Sequence, residues 1–405
     1  MGNAFQDESL CVSEEIESSD INSFSFSLFS ALVNEAKESN ILISPFSIAS
    51  ALAILLAGAT VNSDCENQIM SALSVSSHSN LPALANKIFQ LSSDDHLIQF
   101  TTANGIWIKD SIRDSYVVTI KEIHDAKVSV LPKTYESIDD YITQQTHGHI
   151  TKMLEGDIDP LTVAIVVNAV YFKGNWNIEF DETKTSKGVF HSYGDIKRDA
   201  MFMNMERRME VAVNVQELGG ASIVRLNYGK EKPTKDGKEQ SESEFCSLFF
   251  LPKTGQSMTA LFSDLSKLSK SNSKISLKNI IEDQMSMKKV NLILPRFRVS
   301  YGVNSLKSQL KSLGISDAFD GRNVFSQMSD DPDVHVSDIL HKAVIEVTEK
   351  GTVAAAATVG IMMTRSMPRP PLEMLFDRPF GMVVLHSSSC TPLFIGKIND
   401  PEFIL

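Results

Sequence analysis

"EKGTVAAAATVGIMMTRSMPRPP", residues 349–371, decides how the chain is read. As a helix it is poor. Ala354 to Ala357 favour one, but Gly351, Thr352, Val353, Thr358, Val359 and Gly360 oppose it. As a strand of period two it becomes orderly. One face carries Thr352, Ala354, Ala356, Thr358, Gly360 and Met362, small and uncharged as far as Gly360. The other carries Val353, Ala355, Ala357, Val359 and Ile361, which tolerate burial. Such a segment fits between two existing strands without overpacking the core. Arg365-Ser366 follows, then a proline cluster that keeps the chain extended. Arg369 precedes Pro370, so Arg365 is the one arginine here with a readily cleaved bond after it.

The rest of the composition narrows the class. With 42% hydrophobic residues in 405, the chain can bury a large core. A net charge of −12 argues against a general nucleic-acid binder, because phosphate contacts need clustered cations. Lys267, Lys270, Lys274 and Lys278 read as a solvated face. The start, "MGNAFQDESLCVSEEIESSD", lacks the basic and apolar regions of a secretory signal, and Gln6 stands where myristoylation expects Ser or Thr. Residues 1–20 are expected to be a flexible segment preceding a single domain over 21–405. Cys11, Cys65, Cys246 and Cys390 are widely spaced, and no Asn-x-Ser/Thr acceptor occurs. These features favour a reducing, cytoplasmic setting, with signal-independent export as the alternative.

"ILISPFSIASALAILLAGATV", Ile41 to Val61, must be tested as a membrane span. Pro45 interrupts it, leaving about 15 residues, too few for a bilayer and ordinary for a buried helix. Ile21 to Lys37 has helical spacing, and "SIDDYITQQTHGHITKML" (137–154) reads as one amphipathic helix with Ile138, Tyr141, Ile142, Ile150 and Leu154 inward. "FTTANGIWI", "DAKVSVL" and "LTVAIVVNAVYFKG" read as strands. So do "KGVFHS", "RMEVAVNVQ", "ASIVRLNY", "EFCSLFFLPK", "KVNLILPRFRVSY", "FGMVVLH" and "TPLFIGKI", while "SLKSQLKSLGI" is a short helix. Helices first and mostly strands afterwards favour an α+β fold. Gly229 to Glu244 is polar and reads as an exposed hairpin insertion.

Enzyme motifs are missing: no G-x-S-x-G, H-E-x-x-H, P-loop or G-x-G-x-x-G after a strand. His147 and His149 flank Gly148 without a nearby Cys or acidic ligand, a weak metal signal. The chain is expected to be no enzyme and to need no metal or cofactor.

Six blocks, in order, resemble the serpin family across about Phe24 to Pro401: "NILISPFSIASALAILLAGA", "VNAVYFKGNW", "LHKAVIEVTEKGT" with "EKGTVAAAAT" inside the loop, "LFDRPF" and "PLFIGKIND". The resemblance implies three β-sheets, about eight or nine helices and an exposed reactive-centre loop near 349–371. It implies a suicide inhibitor of a trypsin-like serine protease, cut at Arg365-Ser366, whose freed loop enters the main sheet. Glu349 to Arg365 is 17 residues, the spacing expected of inhibitory members. Glu349, Lys350, Gly351, Thr352, Val353, Ala354, Ala355, Ala356, Ala357 and Thr358 match the hinge. Ser44, Ser47, Asn168 and His341 match the shutter beneath the sheet centre; Trp176, Arg296 and Glu349 match the breach, with Arg296 the candidate partner of Glu349. The stretch "NQIMSALSVSSHSNLPALANKIF" carries only Lys87, which argues against helix-borne heparin activation. A monomer in covalent complex with its protease is implied. A non-inhibitory chaperone, carrier or storage serpin is the alternative.

Overall fold

The computed structural model describes residues 18–75, 98–109, 111–154, 156–229, 243–270, 273, 275–303, 305–350 and 370–404. Its helices are α1 (Ser18–Glu35), α2 (Pro45–Gly58), α3 (Asp64–Leu73), α4 (Asp114–His124), α5 (Glu136–Gln145) and α6 (Met258–Leu268), with three shorter segments at Leu277–Asn279, Lys307–Ser312 and Asp317–Asp320. The strands are β1 (Ile41–Ile43), β2 (Ile98–Ile108), β3 (Lys127–Val130), β4 (Ala164–Gly174), β5 (Ser186–Ser192), β6 (Ile196–Val215), β7 (Ala221–Asn227) and β8 (Phe245–Leu251). They continue with β9 (Ser286–Pro295), β10 (Phe297–Val303), β11 (Asp338–Val347), β12 (Leu372–Leu375), β13 (Phe380–His386), β14 (Thr391–Ile398) and β15 (Glu402–Phe403).

Two hydrogen-bonded sheets result. One runs β15-β10-β11-β4-β2-β3; the other runs β1-β14-β13-β8-β7-β6-β9-β12, with β5 also on β6. The implied second and third sheets share β6, which pairs with β5 and β9 along its first part and with β7 at its far end. One 20-residue strand therefore joins them into one continuous path.

Alternation sorts the central strands. Ile165, Val167, Ala169 and Tyr171 of β4, with Leu340 and Val344 of β11, join Ile138 and Ile142 of α5 in one apolar cluster. Their neighbours Val166 and Ile339 face the helical core, and Val170, Phe172, Ala343 and Ile345 face the second sheet. The six-stranded sheet is thus covered on both sides, as its near-continuous apolar strands require.

Helix α2 is buried along nearly its whole length. Ser44 starts it, its hydroxyl accepting the Ser47 N–H, and Pro45 occupies the first turn, where a missing N–H costs nothing. Among the described residues no helix is long and apolar enough to cross a membrane.

Three boundaries differ from expectation. Helix α1 begins at Ser18, so residues 18–20 belong to it; Ser-Ser-Asp is helix-starting chemistry. The helix expected over 137–154 ends at Gln145, because His147 (φ 50) and Gly148 (φ 81) take left-handed backbone. Ile150 still turns inward, its N–H held by Thr146 Oγ1 at 3.1 Å. "KVNLILPRFRVSY" is not one strand but two, β9 and β10, in different sheets with Arg296 between them. The expected insertion lies mostly outside the described residues, which include only Gly229, Ser243 and Glu244 of it.

Candidate functional site

Strands β4 and β11 are direct neighbours and run parallel, Asp338↔Ile165 through Ile345↔Phe172. The register places His341 opposite Asn168, and the antiparallel β2 places Asn104 opposite Asn168 on the other side. Three polar side chains therefore stand in one row across apolar strands, all pointing inward toward the start of α2.

The row is hydrogen-bonded throughout. Ser44 N–H donates to His341 Nε2 at 3.1 Å, and His341 Nδ1 lies 2.6 Å from Asn168 Oδ1. Asn168 Nδ2 donates to the Ser47 hydroxyl at 2.5 Å, to the Ser47 carbonyl at 3.2 Å and to Asn104 Oδ1. Because Nε2 accepts a backbone N–H, the ring proton sits on Nδ1 and donates to Asn168. Burial pushes the His341 pKa down to about 3, and the contacts agree: a proton on Nε2 would confront the Ser44 N–H. Ser44, Ser47, Asn168 and His341 are fully enclosed, and a polar group there costs free energy unless paired.

The second constellation stands just past the end of β11. Glu349 is only 3% exposed, and its Oε1 lies 3.4 Å from Arg296 Nη2. The same oxygen accepts the Thr185 hydroxyl at 2.6 Å, and the Glu349 carbonyl accepts Phe180 N–H at 3.2 Å. Arg296 is held by its backbone, its N–H donating to Met201 O at 2.8 Å between the two sheets. Trp176 donates its indole N–H to Thr348 O at 2.9 Å and stacks on Tyr228 with ring centroids 4.5 Å apart. Lys350 reaches Glu182 at 3.2 Å in solvent, a contact worth little. At about 3.3 Å per residue, His341 and Glu349 stand roughly 26 Å apart along the chain. They belong to two separate clusters, one on β11 and one just past its end.

Gly351, Thr352, Val353, Ala354, Ala355, Ala356, Ala357, Thr358, Arg365 and Ser366 lie outside the described residues. The chain is described again from Pro370, just before β12 at the edge of the other sheet. Asn104 and Thr185 were not singled out from sequence. Asn104 had a faint signal, a lone amide within an otherwise apolar strand end; Thr185 had none. His149 stacks on Tyr171 at 3.7 Å, and no cluster of three or more potential metal ligands occurs among the described residues.

The fold is a mixed α+β domain with a parallel strand pair at the centre of its six-stranded sheet, a buried polar row on one face of that pair and a carboxylate–guanidinium contact just past its end. The family model described as Serpin (serine protease inhibitor) matches residues 19–401, and the chain belongs to that family. It is 32% identical over 390 residues to a serine protease inhibitor of Cyanea capillata, covering 93% of this chain and 96% of that one. It is 29% identical to Serpin-ZX of Arabidopsis thaliana, covering 90% and 93%. The structure of Arabidopsis AtSerpin1 in its native stressed conformation superposes with a TM-score of 0.80 at 29% identity, covering 95% and 98%. The serpin family is made up mostly of protease inhibitors rather than enzymes.

Proposed function

We propose that this serpin is an irreversible inhibitor of trypsin-like serine endopeptidases, with Arg365 as the residue recognised before the cut and Ser366 on the leaving side. The protease serine hydroxyl adds to the Arg365 carbonyl carbon; the bond to Ser366 nitrogen breaks, and that nitrogen leaves as an amine carrying the serine proton. An ester joins the two proteins. The freed arm from Glu349 then enters the main sheet and carries the acyl-enzyme with it.

One observation carries this reading: β4 and β11 are parallel, and the loop leaves directly from the end of β11. A segment folding back from β11 runs antiparallel to it, and so antiparallel to β4 as well. Insertion replaces one parallel ladder by two antiparallel ones, which are more stable per residue. Each added backbone hydrogen bond contributes roughly 0.5–1.5 kcal/mol net. The 17 residues from Glu349 to Arg365 span roughly 55 Å when extended, about the diameter of a domain this size. The hinge, Glu349 to Thr358, supports the same reading, since its residues from Gly351 to Thr358 are small or β-branched and uncharged. Shutter (Ser44, Ser47, Asn168, His341) and breach (Trp176, Arg296, Glu349) serve to hold the strand pair closed until the cut.

Cys65, Cys246 and Cys390 are free and buried, which supports a reducing, cytoplasmic setting. The test is incubation with a panel of trypsin-like proteases and denaturing gels. An SDS-stable complex and a released peptide beginning at Ser366 are expected; clean cleavage with no complex overturns the reading. A carrier or storage serpin that does not insert its loop shows no rise in melting temperature after the cut.

A further inference from the structure

The end of the six-stranded sheet opposite Glu349 is closed by two loops, 156–163 before β4 and 329–337 before β11. They lie side by side: Val163 N–H donates to Ser337 Oγ at 2.9 Å, and Ser337 N–H donates to Ala164 O at 2.8 Å. Together they carry five aspartates and no lysine or arginine. Asp330 pairs with Arg113 and Asp333 with Arg322. Asp157, Asp159 and Asp331 have no cation within ion-pair distance among the described residues. Lys109 borders the loops and donates its ammonium to Pro160 O at 2.9 Å. Leu161 rises from the first loop, 84% exposed, more than any other large apolar side chain described. Local bonds fix the surface. Asp159 Oδ1 accepts the Leu161 N–H at 2.8 Å, and Asp331 Oδ1 accepts the Asp333 N–H at 2.9 Å.

Strand register fixes what an inserted arm would bring there. A turn of two to four residues after Val347 pairs Val347 with Lys350, Gly351 or Thr352. Counted antiparallel from that pair, Arg365 falls level with Pro332, Asp333 or Val334. The β4–β11 register, extended from Asp338↔Ile165, sets those three beside Asp159, Pro160 and Leu161. An arm of 17 residues therefore ends between the two loops, and a protease esterified to Arg365 is set down on them.

We propose that this acidic pole is a docking surface for the trapped enzyme, and that it selects trypsin-like proteases with a cationic rim around the active site. The proposal rests on the inhibitory reading. Carboxylates of the pole meet lysines and arginines of the rim, and Leu161 supplies an apolar contact. An enzyme with an anionic rim meets like charge, which shortens the life of its complex. Selection thus acts twice. Arg365 chooses the enzyme before the cut, and the pole chooses by surface charge after it. The pole lies a sheet's length from the end of β11 where the loop leaves, so it acts on complex lifetime and leaves the attack on Arg365 untouched.

Cationic and anionic trypsin, which cut after the same residues, test the pole with the full chain. At low salt the complex with cationic trypsin is expected to outlast the anionic one by roughly three- to tenfold, and about 0.5 M sodium chloride should close most of the gap. Asp157→Asn, Asp159→Asn and Asp331→Asn together keep the turn-closing oxygens and should remove the difference. A benzophenone amino acid in place of Leu161 should crosslink to the enzyme in the complex. It should not crosslink to trypsin whose catalytic serine is replaced by alanine, which binds the loop without being acylated. Equal lifetimes at low salt, a gap that survives the triple substitution, or no crosslink from position 161 overturns the pole, while the complexes themselves leave the inhibitory reading standing. Cleavage without any complex overturns both.

Discussion

His341 and Asn168 are Cα partners across the parallel β4–β11 pair, joined through Nδ1 and Oδ1 at 2.6 Å. The contact crosses the one strand boundary that the proposed mechanism must open. It is also the point where a titratable ring is locked in its neutral form.

That lock makes stability pH-dependent with a definite sign. The His341 pKa is lowered by burial from 6.5 to about 3, so between those values the unfolded chain binds a proton that the folded one does not. Stability from this group is fully present above about pH 6.5. It falls as pH drops, by about 1.4 kcal/mol per pH unit, until about pH 3. His124, lowered to about 4 by burial, adds in the same direction. Urea midpoints measured from about pH 7 to 4 should decline, and His341→Gln, which keeps a donor and an acceptor, should flatten the slope. An unchanged slope in that variant refutes the assignment.

Arg296→Ala should destabilise the protein by about 2 kcal/mol, because it leaves the enclosed Glu349 carboxylate without its cation. The effect is smaller than for a fully buried pair, since Arg296 is 24% exposed and the Thr185 hydroxyl remains. Arg296→Lys should cost well under half as much. A double-mutant cycle with Glu349→Gln measures the coupling; a value near zero would show that the carboxylate is held by Thr185 alone.

Thr352→Arg tests insertion without touching the cleavage site. Placing an unpaired guanidinium on the small face of the hinge opposes burial of the arm. Cleavage at normal rate with loss of the stable complex is expected. Undiminished inhibition by T352R means the arm does not enter the sheet in this register.

Trp176 offers an optical readout, since only one other tryptophan, Trp107, is present. Its indole donates to Thr348 O, one residue before Glu349, so entry of the arm should break or re-aim that bond. Cutting the loop should change the fluorescence of the protein and of Trp107→Phe, but not of Trp176→Phe. A silent Trp176 argues that the arm stays outside.

Some of this was legible in the sequence and some was not, for physical reasons. "FGMVVLH" and "TPLFIGKI" coincide with β13 and β14 to the residue, because an apolar run ends at polar turn chemistry on both strands. The buried α2 was legible from Pro45 and the absence of charge. Strand β11 did not stand out by pattern, since His341 and Lys342 interrupt its apolar run. Of the site, the family's own positions came from resemblance to its sequence blocks. Asn104 and Thr185 did not, because their partners lie 64 and 164 residues away and are set by tertiary register alone. The end of α5 was missed because one histidine takes a backbone conformation that periodicity does not reveal.

Among the described strands, β1 pairs with β14 alone, Ile41↔Lys397 through Ile43↔Ile395. The end of α1 has the same dependence: its trailing carbonyls at Ala36 and Lys37 accept from Lys397, and Lys37 O also from Asn399 Nδ2. On the ribosome Lys397 emerges 360 residues after Lys37, whose carbonyl it holds. The segment around β1 therefore waits for the strand that completes it, and a chain truncated before Thr391 lacks the strand that pairs with β1.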